Sequence, residues 1–202
     1  IYCCQDCGLI QTVNILGADY YDGYPLTWSH SSEMRAHRVS QAANLIKRFG
    51  LRGKRIIEIG CGDGDYLEIL NGEGAKAFGI EPAAALRKRA ILKGLKVFSG
   101  YVNPKKKIPG APYDAFVTSQ VLEHIPDPNG FLRSIRLSLK NGAIGLVEIP
   151  NLGKDLRYNR FYNFFPDHLS YFSVRTLRAM LERNGFSVLQ IKTSMNKEFL
   201  EA

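Results

Sequence analysis

The stretch Ile56-Ile57-Glu58-Ile59-Gly60-Cys61-Gly62-Asp63-Gly64 is the strongest constraint on the fold. A short, β-branched apolar run stopped by a glycine fits a buried strand better than a helix. Gly60, Gly62 and Gly64 leave the following turn bare of side chains, so the backbone can bend sharply and a ligand can approach it. Asp65-Tyr66-Leu67-Glu68-Ile69-Leu70 then resumes with helical spacing. A strand, a bare turn and a helix N-terminus make a cofactor-binding unit.

The rest of the chain repeats the alternation. From Ser31, the positions Met34, Val39, Ala42, Leu45, Ile46 and Phe49 follow helical spacing, and Gly50 is a stop. Strand-length apolar segments are expected at 76–80, 95–98, 113–118, 143–149 and 186–191. Helical patterns occupy 65–70, 83–93, 131–139 and 174–183, with Asn141-Gly142 and Asn184-Gly185 as C-terminal stops. This predicts an α/β fold with a doubly wound, mostly parallel, Rossmann-like sheet, and a ligand at the carboxyl ends of its strands. The 202 residues suit one sizeable core, assigned to 24–202. Residues 1–23 hold three of the four cysteines and are set apart as a short appendage.

No stretch approaches the roughly 20 apolar residues of a membrane span, so a soluble, cytoplasmic chain is expected, and Ile1 is read as a cut N-terminus. The formal charge of +8 favours an acidic partner, but its Lys and Arg residues are scattered, without the stripe that nucleic-acid binding favours. Lys105-Lys106-Lys107, with Pro104 and Pro109 nearby, reads as a solvated loop.

Two cofactor classes compete for the turn. A dinucleotide site has the spacing G-x-G-x-x-G, whereas here the third glycine comes one residue early. Glu81, followed by Pro82 at the end of the next strand, offers an acceptor pair for the two hydroxyls of a ribose, which both classes need. The segment from Glu58 to Gly64, the acid at Glu81, the stretch from Tyr113 to Ile125 and the turn from Leu139 to Ala143 together resemble four motifs of the class I S-adenosylmethionine-dependent methyltransferases, in the same order. That resemblance implies the Gly-rich turn at the methionine end of the cofactor, Glu58 near its amino group and Glu81 on its ribose. It also implies the backbone of Ser119 and Gln120 near the sulfonium, and Tyr101 or Val102 over the adenine. Many relatives carry an acid near Tyr101, and this chain does not.

The aromatic-rich segment 151–173 is too long for a minimal connection and reads as a wall or lid of the acceptor site. Its Phe165-Pro166-Asp167-His168-Leu169-Ser170-Tyr171-Phe172-Ser173 resembles a stretch of bacterial methyltransferases with an N-terminal zinc-binding segment, among them nucleotide-sugar C-methyltransferases. Phe165 stands where those proteins have a tyrosine, and Cys61-Gly62 where they have Ser-Asn. Tyr20, Tyr21 and the segment 24–32 also resemble the family's stretch before the first helix. The resemblance implies His168 as the base that takes the acceptor's proton, with Asp167 or a backbone group orienting its ring. His124 is the rival base, and a structural hydrogen-bonding role is the alternative for His168. A near-neutral imidazole suits the proton transfer. His30 and His37 read as surface or helix residues, and Cys61 as a small filler.

Cys4 and Cys7 form a C-x-x-C turn that offers two thiolates to zinc. Tetrahedral zinc needs four ligands, so zinc is expected only with a second pair upstream of Ile1. The expected function is methyl transfer from S-adenosylmethionine to a small polar or acidic metabolite such as a nucleotide-linked sugar, on carbon or oxygen. The alternatives are a nicotinamide-dependent oxidoreductase on the same fold and a nucleic-acid-binding or nucleic-acid-methylating protein.

Overall fold

The computed structural model describes residues 1–13 and 31–202. The proposed boundary between 23 and 24, Tyr20, Tyr21, Tyr24 and His30 lie outside the described residues. A short hairpin comes first, β1 (Tyr2–Cys3) and β2 (Ile10–Gln11). Helix α1 (Ser32–Phe49) starts where the Ser31 side chain accepts from the Met34 amide and ends at Gly50 with φ 62°, as its N-cap and left-handed C-cap residues require. Then follow β3 (Arg55–Ile59), α2 (Asp65–Gly72), β4 (Lys76–Glu81), α3 (Ala84–Leu92), β5 (Val97–Ser99) and β6 (Tyr113–Ser119). The second half holds α4 (Pro128–Leu137), β7 (Leu139–Pro150), α5 (Leu152–Arg157), β8 (Ser170–Tyr171), α6 (Val174–Arg183), β9 (Lys192–Ser194) and β10 (Phe199–Glu201).

Seven strands form one sheet in the order β5-β4-β3-β6-β7-β10-β9. The first five run parallel, and β10 and β9 are antiparallel additions. The order reverses between β3 and β6, so the Gly60 turn opens at the switch point. Alternate residues of the buried strands feed two cores. Ile56, Ala115, Val117 and Leu146 pack with Leu45, Ile46, Leu67 and Leu70 of α1 and α2. Ile57, Ile59, Phe116, Val147 and Ile149 pack with Leu132, Ile135, Leu177 and Leu181 of α4 and α6. Both faces of the sheet are covered, as a parallel sheet requires.

Two sequence expectations are corrected. Residues 186–191 form no strand, because β10 occupies the ladder beside β7 and leaves Phe186, Val188 and Ile191 to pack against the core without sheet pairing. Asn141-Gly142 does not end a helix. Helix α4 stops at Leu137 and β7 begins at Leu139, so the pair lies inside β7, where Tyr113 meets Leu139 but Ala115 meets Ile144. Gly142, at φ 73°, takes up that irregularity. Lys105, Lys106 and Lys107 are exposed in a loop, as expected.

The cysteine hairpin is docked on the main body. Strand β2 pairs with β8, Thr12 N donates to the Leu169 carbonyl (3.1 Å) and Thr12 Oγ1 to that of His168 (3.2 Å). Leu9 is buried in the α4/α6 core.

Candidate active site

A cleft of about 1080 Å³ opens at the carboxyl ends of β3, β4, β6 and β7. Gly60 and Gly62 line it, with φ of 72° and 56°, and a Cβ on Gly60 would stand 2.5 Å from Val121 Cγ2. Gly64 is not among the lining residues. A Cβ there would meet Leu95 and Ala90, so this glycine lets the start of α2 pack closely on α3 and the residue after it. Cys61 is buried, and its Sγ would lie 2.4 Å from a Cβ on Gly79, consistent with a filler. Burial, with Glu58 and Glu81 nearby, pushes its thiol far up and removes it as a nucleophile.

Glu81 is buried at the end of β4, where Oε2 accepts from Gly62 N (2.9 Å) and Oε1 from Ala83 N (2.8 Å). Burial raises its carboxyl, and those two amides oppose the rise. The same amides fix both oxygens at the cleft wall, beside Pro82. Tyr101 and Val102 stand on the wall too, Tyr101 largely exposed. Glu58 points inward from β3, and its Oε2 is buried with no hydrogen-bond partner. Burial pushes its carboxyl up to about 8, against the pull of the Arg38 charge.

Arg38, with its neighbours on α1, is the residue that the sequence reading missed. It lies on the inward stripe of α1 with Met34, Gln41, Ala42 and Leu45, and a charged residue on an apolar stripe was the available signal. Its Nη2 pairs with Glu148 Oε1 (2.7 Å), and its Nη1 donates to Ser119 Oγ (3.1 Å) and Gln41 Oε1 (3.0 Å). Its guanidinium also covers the Tyr66 ring at 5.2 Å. Glu148, fully buried on β7, also accepts from Gln41 (2.8 Å) and meets His37 Nε2 at 2.8 Å. Burial would raise the Glu148 carboxyl, but the bond with His37 and the charge of Arg38 hold it below the usual carboxylate range. His37 lies on helix α1, as expected, but turned inward: its side chain is 13% exposed and sits between Glu148 and Glu201.

This buried cluster holds the turn after β6. Gln120 has φ 56°, a strained value for a residue with a side chain. Its amide donates to the Glu148 carbonyl (2.9 Å) and its Nε2 to Glu148 Oε1 (3.4 Å). Ser119 and Gln120 both face the cleft.

Beyond that turn stand His124, in the 3-10 turn Leu122–His124, and His168, just before β8. Their rings meet edge to face, with centroids 4.8 Å apart, and His168 also packs on Phe165 at 5.1 Å. Asp167 is buried, with Oδ2 3.4 Å and its carbonyl 3.0 Å from His124 Nδ1. The contact thus joins Asp167 to His124, whereas the sequence reading aimed Asp167 at His168. Burial lowers the His168 pKa to about 4, with His124 adding to the shift and Asp167 opposing it. Burial also lowers that of His124, against Asp167. Both rings are neutral at neutral pH, and His168 titrates well below the near-neutral range expected from sequence.

Cys4 and Cys7 flank a tight turn in which Gly8 N donates to the Cys4 carbonyl (2.8 Å) and Cys4 N to that of Leu9 (2.9 Å). The backbone amides of Cys7 and Asp6 lower the Cys4 thiol, which favours a ligating thiolate. Cys3 is exposed.

Fold and cleft together define an α/β domain whose ligand cleft lies at the carboxyl ends of the strands, with the buried Glu58, Glu81 and Arg38 side chains on its wall. The family model described as "Methyltransferase domain" matches residues 34–191. The chain belongs to that family of methyltransferase domains. It is 26% identical over 197 residues to C-methyltransferase NovU of Streptomyces niveus, covering 95% of this chain and 47% of that protein. It is 34% identical over 103 residues to the ubiquinone biosynthesis O-methyltransferase of Aeromonas salmonicida, covering 48% of this chain and 43% of that one. The chain spans about half the length of these curated relatives. In fold it resembles the PH0226 protein from Pyrococcus horikoshii (TM-score 0.72, 15% identity, 92% of this chain and 98% of that one). It also resembles the magnesium protoporphyrin IX methyltransferase of Synechocystis, solved with bound SAH (TM-score 0.64, 18% identity, 83% and 82%). The family assignment displaces the nicotinamide reading. No helix among the described residues is long and apolar enough to cross a membrane.

Proposed function

We propose that this chain transfers the methyl group of S-adenosylmethionine to a small polar metabolite, a nucleotide-linked sugar being the favoured class, with His168 taking the acceptor's proton. The observation that carries the reading is the position of His168 on the cleft wall, its ring 4.8 Å from that of His124 in the turn that follows Ser119 and Gln120. The cofactor supplies an electrophilic methyl on a good leaving group, so the chain has to orient the acceptor and accept one proton. Glu81 suits the ribose hydroxyls, and the orphaned Glu58 oxygen suits an ammonium. Arg38 suits a carboxylate and fixes Ser119. The neutral His168 ring has a lone pair for the proton, and Phe165 keeps water from one side of it. The resemblance to a C-methyltransferase over nearly the whole chain supports transfer to carbon, and the O-methyltransferase relatives support transfer to oxygen. A mass-spectrometric screen of pooled nucleotide sugars and phenolic metabolites tests this. Gain of one methyl by a sugar nucleotide supports the reading, and gain by phenols alone replaces the sugar with an aromatic acceptor.

Cys4 and Cys7 supply two thiols of a zinc site whose other pair would come from residues upstream. Metal analysis of this chain and of an upstream-extended one should find stoichiometric zinc in the longer chain only. Zinc in the chain as given would mean further ligands within it, and none in either would make the cysteines structural.

A further inference from the structure

Glu123, in the 3-10 turn after β6, has no role in the reading above, although it lines the same cleft. It is 1% exposed, and both its carboxylate oxygens are buried without a hydrogen-bond partner. Such a group is costly to bury unless something shares it. His124 Nε2 faces Glu123 Oε1 at 3.8 Å. His124 Nδ1 meets the Asp167 carbonyl, which can only accept, so Nδ1 carries the ring proton and Nε2 presents a lone pair. A carboxylate oxygen of Glu123, a ring nitrogen of His124 and one of His168 all lie within 4.8 Å of one another. Three acceptor groups that converge in this way attract a cation.

We propose that Glu123 is the final receiver of the proton that His168 takes from the acceptor, with His124 steadying the transfer; this rests on the reading of His168 as the base. The acceptor's bond to hydrogen breaks as its new bond to the methyl carbon forms. The proton goes to His168, and His168 then returns to neutral by passing a proton to the Glu123 carboxylate, which becomes the neutral acid. The ring nitrogen and the carboxylate oxygen lie within 4.8 Å of each other, a span that one bridging water covers, since two hydrogen bonds in series reach about 5.5 Å. No electron changes hands, and the acid is reset by loss of its proton to solvent between turnovers.

The charged and titratable groups facing Glu123 are Asp167 from the aromatic loop, Glu148 from β7, and His124 and His168. Burial raises its carboxyl to about 8, with the charges of Glu148 and Asp167 adding to the rise. The receiving carboxylate form therefore becomes abundant only as pH rises through about 8. His168 acting alone would be fully active far below that.

The test reads protonation directly and needs no acceptor, so its failure is separable from failure of the methyl-transfer reading. Glutamate carboxyl carbons and histidine ring nitrogens are followed by NMR as pH is varied. A carboxyl signal with a midpoint near 8 should vanish in Glu123→Gln, with a second such signal assigned to Glu58 through Glu58→Gln. The His124 and His168 ring signals should move with the Glu123 midpoint in the unmodified chain and lose that step in Glu123→Gln. On a confirmed acceptor, turnover should rise through the same midpoint, and the variant should lose that limb while keeping cofactor affinity. If Glu123→Gln does not fold, the midpoints of the unmodified chain, with His168 assigned by His168→Asn, still decide. A Glu123 signal titrating in the ordinary carboxylate range overturns the proposal, as do histidine signals unchanged in Glu123→Gln. Saturable manganese binding that His168→Asn abolishes would make the cluster a metal site instead.

Discussion

Glu81 uses both oxygens on backbone amides and still presents acceptor lone pairs to the cleft, so its loss should act on the cofactor before anything else. Glu81→Ala should weaken S-adenosylmethionine binding by about 1.5–3 kcal/mol, the range of a hydrogen bond to a charged group; unchanged affinity by calorimetry would remove Glu81 from the site. Glu58 gives a pH-dependent counterpart. Burial raises its carboxyl to about 8 in the free protein, and an ammonium beside it favours the ionised form. Cofactor binding should therefore release a proton below about pH 8, so affinity rises toward that pH and levels off above it. Calorimetry in buffers of different ionisation enthalpy detects the release, which should disappear in Glu58→Gln. His168→Ala should lower turnover on a confirmed acceptor by about 10²–10⁴-fold with cofactor affinity intact, the signature of a lost general base, and His168→Asn should do no better. Near-normal turnover in His168→Ala, with loss in His124→Ala, would move the base to His124.

At the scale of elements, most of the sheet was legible because its strands are continuous β-branched runs closed by glycine, as in 56–60. The two antiparallel strands at its edge were not. Lys192–Ser194 and Phe199–Glu201 are short and carry charged residues, while the apolar 186–191 imitates a strand without pairing. The Gly-rich turn and Glu81 were legible for the same local reason, since motif and contact lie in one βαβ unit. The cluster of His37, Arg38 and Glu148 depends on α1 crossing the carboxyl edge of β6 and β7, a contact 107–111 residues apart in the chain that no local pattern encodes. Helix α6 offers an element-scale test. Its capping box joins the Ser173 hydroxyl to Thr176 N (3.3 Å) and Ser173 N to Thr176 Oγ1 (2.9 Å). Ser173→Ala should cost about 0.5–2 kcal/mol in denaturant unfolding and leave cofactor affinity unchanged. A parallel loss of affinity would show that α6 and the cofactor half of the cleft are coupled.

For the molecule as a whole, the sheet reversal between β3 and β6 gathers the Gly60 turn, Glu81, the Ser119-Gln120 turn and the histidine pair around one cleft. This cleft is proposed to bind S-adenosylmethionine and not a dinucleotide. Isothermal titration of the unmodified chain with S-adenosylmethionine, its demethylated product and NAD tests that claim most directly. Saturable binding of the first two at one site per chain, with no binding of NAD, is the expected result. Binding of NAD at the same site, or failure of both S-adenosyl compounds to bind the folded chain, would contradict it.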